Sequence, residues 1–472
     1  MKHFTFLILL LVASVSKAQI GINSTGSAPN NSAMLDVQST TKGTLITRMN
    51  SAQRKAIVSP AVGLLVFDTD GSTLFLYDGQ NWLPILLGGS SKDVPLVQRY
   101  APDGLTNDNF GYSVAISGDY AVVGSPFHDV DGKNNQGAVY IFTKDNSTWT
   151  LNQKITATTG QEGDLFGYSV AIEGDYIIVG AINANSHGEA YSFHRESAGW
   201  VMIEKLIPIN IQLGYNGGCS VAISSDYAVV GVKNYETKGA AYIYHKVGNN
   251  WNPIQRITAS DGTDNDNFGN SVAISGDYII AGAYNDDIGT KTNQGSAYIF
   301  HKNINNIWIE EQKLIASNGD TNDNFGLSVS ISNDYAVIGS PFFDNGTATN
   351  QGTVYVFHRI GVNWIQDLQI LVADGKANEV FGYAVSIAGS NLLIGAFSGI
   401  ATTSINQGLA YLYKKSGTTW NFMRKLYEST PEKNNYFGFN LSINGDSFLI
   451  AAPFNSSINS YQGAVSFGKT DY

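Results

Sequence analysis

The chain of 472 residues carries a net charge of -11, which argues against nucleic acid or an anionic membrane surface as a partner, since both require clustered lysine and arginine. Glycine is abundant at 50 residues, tyrosine and phenylalanine number 25 and 23, and only 14% of residues are charged. This composition is typical of many short strands joined by turns, and it predicts an all-β protein.

The N-terminus predicts a secretory signal peptide. A basic start precedes an apolar run from Phe4 to Val15, too short to span a bilayer, and small residues end at Ala18 before Gln19. We expect residues 1–18 to be removed and the protein to be secreted or held at the cell surface. The alternative is an amphipathic first strand. The only cysteine, Cys219, allows no intramolecular disulfide.

Residues 19–87 lack the repeated string of the later sequence, and they predict a small separate module. We expect a strand around Leu35, a short helix capped by Ser51 that runs through Val58, and a β-hairpin within residues 63–77. Residues 88–93, rich in glycine and serine, predict a flexible linker.

The remaining sequence is a repeat array. The string FGYSVAISGDYAVVGSP has seven copies whose starts lie 51 to 57 residues apart, a period that is typical of propellers and solenoids. The copies start at Phe110, Phe166, Gly217, Phe268, Phe325, Phe381 and Phe437.

Each repeat predicts a meander of four strands. In the first copy these are residues 113–117, 120–124, 138–142 and 149–155, and Gly118-Asp119 forms the first hairpin turn. The alternation places Phe110 and Tyr112 on one face of the first strand. Six tryptophans each lie 17 residues before the next copy and are expected to be core residues: Trp149, Trp200, Trp251, Trp308, Trp364 and Trp420.

The two ends of the array complete one sheet. The last copy stops before a fourth strand, whereas residues 94–104 resemble the known fourth-strand segment 251–262. Pairing the ends removes the open edges of the array. The sequence therefore predicts a seven-bladed β-propeller over residues 94–472, closed by an N-terminal strand.

Two strings resemble known families. The phrase ITASDGTDNDNFGNSVAISGDYIIAGAYNDD, followed by NQGSAYIFHK, resembles the bacterial FG-GAP repeat, which also forms the propeller of integrin α subunits. The resemblance implies ligand recognition on one rim and often extracellular adhesion. The string from LDVQSTTKG to LYDGQNW resembles a module of bacterial secreted and tail-fibre-like proteins, which implies attachment or a homo-oligomer. The calcium site of the integrin hairpin cannot be carried over, because that hairpin is here only Gly118-Asp119.

Acidic residues before the repeats and in the loops after the second strands are candidate calcium ligands, because calcium takes 6 to 8 oxygen ligands. The alternative, favoured by recurrence in nearly every blade, is that Asp and Asn side chains satisfy backbone groups in tight turns. The six candidates are Asp129, Asp131, Asp264, Asp266, Asp286 and Asp287.

No catalytic motif stands out, so we expect no enzyme. The histidines at equivalent places just after the third strands, His194, His245, His301 and His358, are expected on the outside of the ring, far apart. The leading prediction is a surface binding or adhesion protein that recognises an extracellular protein or glycan through rim loops, with calcium as the only candidate cofactor. The alternatives are a hydrolase or lyase with its site at the central channel, and a structural spacer.

Overall fold

The computed structural model describes residues 20–24, 27–28, 33, 35–69, 73–77, 79, 82–85, 96–146, 148–210, 212–399, 406–428 and 433–470. The predicted signal peptide and linker lie outside these residues. The chain divides into two compact units, Met1–Ser91 and Lys92–Tyr472. Within the described part, no helix is long and apolar enough to cross a membrane.

The N-terminal unit contains a parallel pair of strands, β1 with β2, and a four-stranded sheet in the order β3-β4-β5-β6. The predicted strand around Leu35 and the predicted hairpin, which is β4 with β5, are confirmed. The elements are β1 (Ile20–Asn23), β2 (Leu35–Gln38), β3 (Arg48–Met49), α1 (Ser51–Lys55), β4 (Leu65–Asp68), β5 (Thr73–Tyr77) and β6 (Trp82–Ile85).

The cap predicted for the helix is wrong by one residue. Asn50 is the N-cap, and its side chain and that of Gln53 form a reciprocal capping box. The Ser51 hydroxyl instead donates to Asp68 at 2.8 Å, and the buried Arg54 pairs with the same carboxylate at 2.7 Å. These contacts fix α1 on β4, and the helix ends at Lys55 rather than at residue 58.

The second unit forms seven four-stranded antiparallel sheets, here called blades 1 to 7. Its strands are β7 (Val97–Arg99), β8 (Ser113–Ser117), β9 (Tyr120–Ser125), β10 (Ala138–Asp145), β11 (Thr148–Ile155), β12 (Phe166–Glu173), β13 (Tyr176–Ala181), β14 (Glu189–Glu196), β15 (Gly199–Leu206), β16 (Gly217–Ser224), β17 (Tyr227–Val232), β18 (Ala240–Val247), β19 (Asn250–Ile257), β20 (Ser271–Ser275), β21 (Tyr278–Ala283), β22 (Ser296–Lys302), β23 (Trp308–Leu314), β24 (Ser328–Ser332), β25 (Tyr335–Ser340), β26 (Thr353–Ile360), β27 (Asn363–Ile370), β28 (Ala384–Ala388), β29 (Asn391–Ala396), β30 (Leu409–Ser416), β31 (Thr419–Leu426), β32 (Leu441–Asn444), β33 (Ser447–Ala452) and β34 (Ala464–Lys469). Short 3-10 helices follow β13 and β17, at Ala184–Ser186 and Tyr235–Thr237.

The blades form a closed ring. The first strands of successive blades contact one another all the way round, including β32 of blade 7 with β8 of blade 1. Blade 7 is completed by β7, which pairs with β34 in the register Val465↔Arg99. The predicted all-β propeller and its closing strand are confirmed.

Neighbouring blades meet through a close backbone contact. Gly124 at the end of β9 lies against the carbonyl group of Gly167 in the next blade, and the Ser113 hydroxyl donates to that carbonyl at 2.8 Å. A side chain at either glycine would displace backbone. The same hydrogen bond recurs from Ser169 to Gly218, Ser220 to Gly269, Ser271 to Gly326 and Ser328 to Gly382.

The fourth strands of neighbouring blades are also connected. The Gln153 side chain accepts from the backbone N–H of Trp200 at 2.8 Å and donates to its carbonyl at 2.9 Å. Equivalent glutamine clasps hold Trp308 and Trp364. The six repeat tryptophans are all at most 6% exposed, which confirms the prediction that they belong to the core.

Two predicted placements are corrected. Gly111 has a φ of +96°, so the chain turns between Phe110 and Tyr112. Phe110 packs in the core between sheets, whereas Tyr112 contacts Tyr168 of the next blade, and the two rings do not share a face. The four repeat histidines lie within the third strands, where each packs on a tyrosine of the second strand, as His358 does on Tyr335.

The Gly124→Ala variant tests the close contact between blades. The added methyl group meets backbone of the next blade, so we expect the free energy of unfolding to fall by at least about 2 kcal/mol. Thermal and denaturant unfolding measure this change. Gly118→Asn is the control, because this turn glycine has open space around it and asparagine tolerates positive φ. Equal losses in the two variants would contradict the prediction.

Candidate binding site

One rim of the propeller carries both the crossovers between blades and the loops that join second to third strands. In blade 1, the Gln136 amide donates to the Ala157 carbonyl of the next crossover at 3.0 Å, and the backbone N–H of Phe166 donates to the Gln136 carbonyl. Lys133 of the same loop donates to the Gly160 carbonyl at 2.6 Å. The loops and crossovers therefore form one connected surface, as the meander predicts.

A buried carboxylate organises each of five crossovers. It accepts a hydrogen bond from the backbone N–H three residues earlier, as Asp108 does from Leu105 at 2.7 Å. The same pair recurs as Asp164 with Gln161, Asp266 with Thr263, Asp323 with Asp320 and Glu379 with Lys376. These acids stabilise the turn of the chain from one blade to the next.

The asparagines on either side of the carboxylate have a backbone role. Asn107 and Asn109 have φ values of +70° and +52°, and Asn322 and Asn324 repeat this pattern with +65° and +52°. Asparagine tolerates the left-handed region better than most residues. The Asn-Asp-Asn string is thus explained by the crossover itself.

A second acid in several blades joins a tyrosine and a lysine. In blade 1, Asp103 accepts from Lys154 and from the Tyr140 hydroxyl, each at 2.7 Å. Burial by itself would raise the pKa of Asp103, but these two hydrogen bonds lower it below its ordinary value. Blade 4 repeats the cluster with Lys313, which contacts Asp261 and Asp286 at 2.7 Å each.

Five of the six candidate calcium ligands accept hydrogen bonds through their side chains within the protein. Asp129 and Asp287 each accept from the backbone N–H of an asparagine six residues later. Asp266 binds Thr263, and Asp286 accepts from Ser296 and Tyr298 besides its pairing with a lysine.

The other two candidates lie in loops. Asp264 accepts from the Thr237 hydroxyl, and Asp131 has a φ of +50° beside Gly132 in a tight turn closed by reciprocal Val130 and Lys133 hydrogen bonds. Among the described residues, no group of three or more acidic, histidine or cysteine side chains could hold a metal. Calcium at these six residues stays a prediction.

His128 is a site residue that sequence reasoning missed. It occupies in blade 1 the place of Asp286 in blade 4, is 3% exposed, and lies between the Asp108 carboxylate and the Lys154 amine at 2.7 Å from each. This loop position differs in all seven blades, and blade 1 has the histidine. Its two ring nitrogens are both engaged within the blade, so it stabilises the crossover rather than facing the channel.

Blade 3 lacks the acids of the other crossovers. Here Tyr242 donates to the Ile209 carbonyl at 2.8 Å, and the Arg256 guanidinium lies over the Tyr235 ring and donates to its hydroxyl. A shallow pocket of about 340 Å³ lies beside Tyr242 and Arg256. Arg256 thus binds an aromatic residue, Tyr235, whereas the equivalent lysines of blades 1 and 4 bind carboxylates.

Aromatic rings meet where four neighbouring blades face the centre of the ring. Tyr112 of blade 1 contacts Tyr168 of blade 2 and Phe439 of blade 7, with ring centroids 5.0 and 5.4 Å apart, and Phe439 contacts Tyr383 of blade 6 at 5.3 Å. Burial raises the pKa of Tyr383 to about 12. The rings extend outward to Phe397 on the rim.

A cleft of about 490 Å³ opens on the rim where blades 6, 7 and 1 meet. Its volume falls within the range of about 300–1,000 Å³ that is usual for small-ligand sites. It is formed by two crossovers and two loops, and among the residues that the structure describes its lining contains three amides, four aromatic rings and no charged side chain. The lining residues are Asn107, Asn109, Phe397, Asn434, Tyr436, Phe454 and Tyr461.

These features define a repeat propeller whose loops and crossovers share one rim. The model of the FG-GAP repeat matches residues 100–142, 149–193, 251–300, 308–357 and 364–413, which together make up just over half of the chain. The chain belongs to the FG-GAP repeat family. Blades 3 and 7 fall largely outside the matched segments. Membership indicates a binding or structural protein, and propellers of this family are typically not enzymes.

The N-terminal unit has its own relatives. The phage tail like trimerisation region matches residues 21–94, in agreement with the predicted tail-fibre-like module. No curated protein matches the chain. A chain in the crystal structure of a mitotic checkpoint complex is similar in fold, with a TM-score of 0.50 and 11% identity over 80% of this chain and 96% of the other, a likeness that concerns the fold alone.

The buried crossover acid of blade 5 predicts a pH effect. No lysine contacts Asp323, and burial raises its pKa to about 6. The unfolded chain releases this proton near pH 4 and the folded chain only near pH 6, so the free energy of unfolding should fall as pH rises through this window.

The Asp323→Asn variant keeps the acceptor for the Asp320 N–H but no longer titrates. We therefore expect it to be more stable than the natural chain above pH 6, with a difference that shrinks towards pH 4. Unfolding curves recorded from pH 4 to 8 measure the effect. The exposed Asp367→Asn variant is the control, and parallel profiles for all three proteins would contradict the prediction.

Proposed function

We propose that the protein is an exported, trimeric binding protein whose N-terminal module joins three chains and whose propeller rim recognises an extracellular protein or glycan. The observation that carries the proposal is the cleft between blades 6, 7 and 1, whose described lining consists of aromatic rings and amides. The predicted signal peptide and the family of the propeller support a location outside the cell or on its surface.

An apolar face on the N-terminal module supports assembly. Ile20 and Ile22 of β1 lie beside Leu35 and Val37 of β2 in the paired register, so all four side chains project from one side of the pair. Each is at least 41% exposed in the single chain. Contiguous exposed apolar groups are typical of interaction surfaces, and the matched trimerisation region names the assembly that would cover them.

A comparison of the rim loops supports blade 7 as part of the recognition surface. The loops of blades 1, 4 and 5 share the same small hairpin and the same Asp-to-backbone bond, at Asp129, Asp287 and Asp344. These three loops are thus repeated structure. Blade 7 instead has aromatic residues here. Its loop carries the exposed Tyr461 and the half-buried Phe454, and its crossover carries the half-buried Tyr436.

The two alternative functions have less support. An enzyme would need a reactive group in the cleft, and the described lining residues there are aromatic rings and amides. A structural spacer would have no reason to keep an uncharged aromatic cleft at one junction of the ring. The binding function accounts for both the regular blades and their local departure.

Assembly can be tested with a charged substitution on the apolar face. The natural full-length chain is expected to have three times the mass of one chain in analytical ultracentrifugation, and Ile22→Asp to have the mass of a single chain, because the interface would bury an unpaired carboxylate. Val58→Asp is the control in the same module, since this residue is 90% exposed and lies outside the β1–β2 face. A natural chain of monomeric mass would contradict trimerisation.

Recognition can be tested by exchanging loops. Replacing residues 453–462 of blade 7 with residues 341–351 of blade 5 should abolish binding of the labelled trimer to cells and to protein and glycan arrays. Exchanging residues 126–136 with residues 284–294 is the matched control, because these loops of equal length share one hairpin. If the first exchange left every interaction unchanged, the rim would not be the recognition surface.

A further inference from the structure

We propose that the cleft between blades 6, 7 and 1 binds a neutral saccharide. This inference rests on the proposed function and specifies the class of ligand for the same rim. It is drawn from the way in which the cleft departs from the corresponding junctions of the other blades.

Three consecutive junctions pair two asparagines across the rim. A loop asparagine donates its side-chain amide to a crossover asparagine at 2.9 to 3.2 Å. The pairs are Asn293 with Asn322, Asn350 with Asn378, and Asn406 with Asn434. At the next junction the crossover residue is Asn107, but Tyr461 stands in the place of the loop asparagine.

This replacement changes which side chains the cleft offers to a ligand. No described residue hydrogen-bonds the Asn107 side chain, so its amide can donate to and accept from a ligand. The Tyr461 ring is 41% exposed and stands at the mouth of the cleft. At this junction the exchange of asparagine for tyrosine therefore offers a ligand one polar group, the Asn107 amide, and one aromatic ring, that of Tyr461.

The aromatic side of the cleft is continuous. Phe397 contacts Tyr436, Tyr436 contacts Phe454, and Phe454 contacts Tyr461, with ring centroids 5.3, 5.2 and 6.1 Å apart. Behind them, Phe439 packs against both phenylalanines and joins the strip to the rings at the centre of the propeller. The strip is therefore supported from below and presents an ordered apolar surface.

The chemistry of this lining matches a sugar ring. A pyranose has an apolar face of C–H groups and a rim of hydroxyl groups that both donate and accept hydrogen bonds. Aromatic side chains can cover the first, and the amides of Asn107 and Asn434 can bind the second. Because none of the described residues that line the cleft is charged, a charged ligand would lose its hydration without gaining a partner among them.

The test uses the full-length protein on an array of neutral, sialylated and sulfated oligosaccharides, followed by calorimetric titration with the neutral sugars that are retained. We expect neutral sugars to bind and the acidic ones to be excluded. Tyr461→Asn should restore the asparagine pair of the other junctions, fold normally, and weaken binding at least tenfold. Asn107→Ala should weaken binding as well.

Tyr427→Asn is the matched control, because it makes the same change at a tyrosine that is 48% exposed and does not line the cleft. Its affinity should stay within twofold of the natural value. The inference is overturned if no neutral sugar binds, or if Tyr461→Asn binds as the natural protein does. Persistent binding to a protein array in that case would leave the proposed binding function standing while the saccharide inference failed.

Discussion

The structure depends on how closely neighbouring blades can approach at their inner strands. Gly124 and Gly167 bring two backbones into contact, and the Ser113 hydroxyl satisfies the carbonyl group that this contact buries. Because the packing is between backbones, it fixes the spacing of the sheets with little tolerance. The glycines and serines of the repeated string are therefore set by packing between blades, and chemistry can vary only where these contacts end.

The acids of the crossovers follow from the same geometry. A chain that turns sharply between blades leaves backbone N–H groups without strand partners, and the buried carboxylates accept from them. Where a second acid is present, a fourth-strand lysine accompanies it, as Lys154 does in blade 1. Much of the negative charge on this rim is thus engaged within the blades, which leaves the uncharged cleft as the distinct surface.

The fold could be predicted largely from the sequence because each blade repeats the same local signals. The Gly118-Asp119 turn, the spacing of the tryptophans and the missing last strand indicated the hairpins, the core and the closure. The alternation rule failed at Gly111, since a positive φ there cannot be recognised from a period of two. The helix cap was displaced by one residue because the partner of Ser51, Asp68, is distant in sequence.

The candidate site was less predictable. The acidic strings predicted a calcium site, but in the structure many of their oxygens accept hydrogen bonds within the turns. The cleft, in contrast, is assembled from residues as distant in sequence as Asn107 and Tyr461. The informative signal was a difference between copies, tyrosine where four other blades have asparagine, and it acquires meaning only once the junctions can be superposed in space. His128 was overlooked for a related reason, because its loop position differs in every blade and its partners Asp108 and Lys154 are distant in sequence.

The strand that closes the ring has a mechanical consequence. Blade 7 receives its outer strand, β7, from the segment that leads back to the N-terminal module, and among the described residues this strand pairs at Val97, Gln98 and Arg99. Tension between an anchored module and a ligand held on the rim would act along the chain directly on these three pairs. β7 is therefore the element that would bear this tension. The other six blades, whose four strands follow one another in the chain, would not lie on the path of the force.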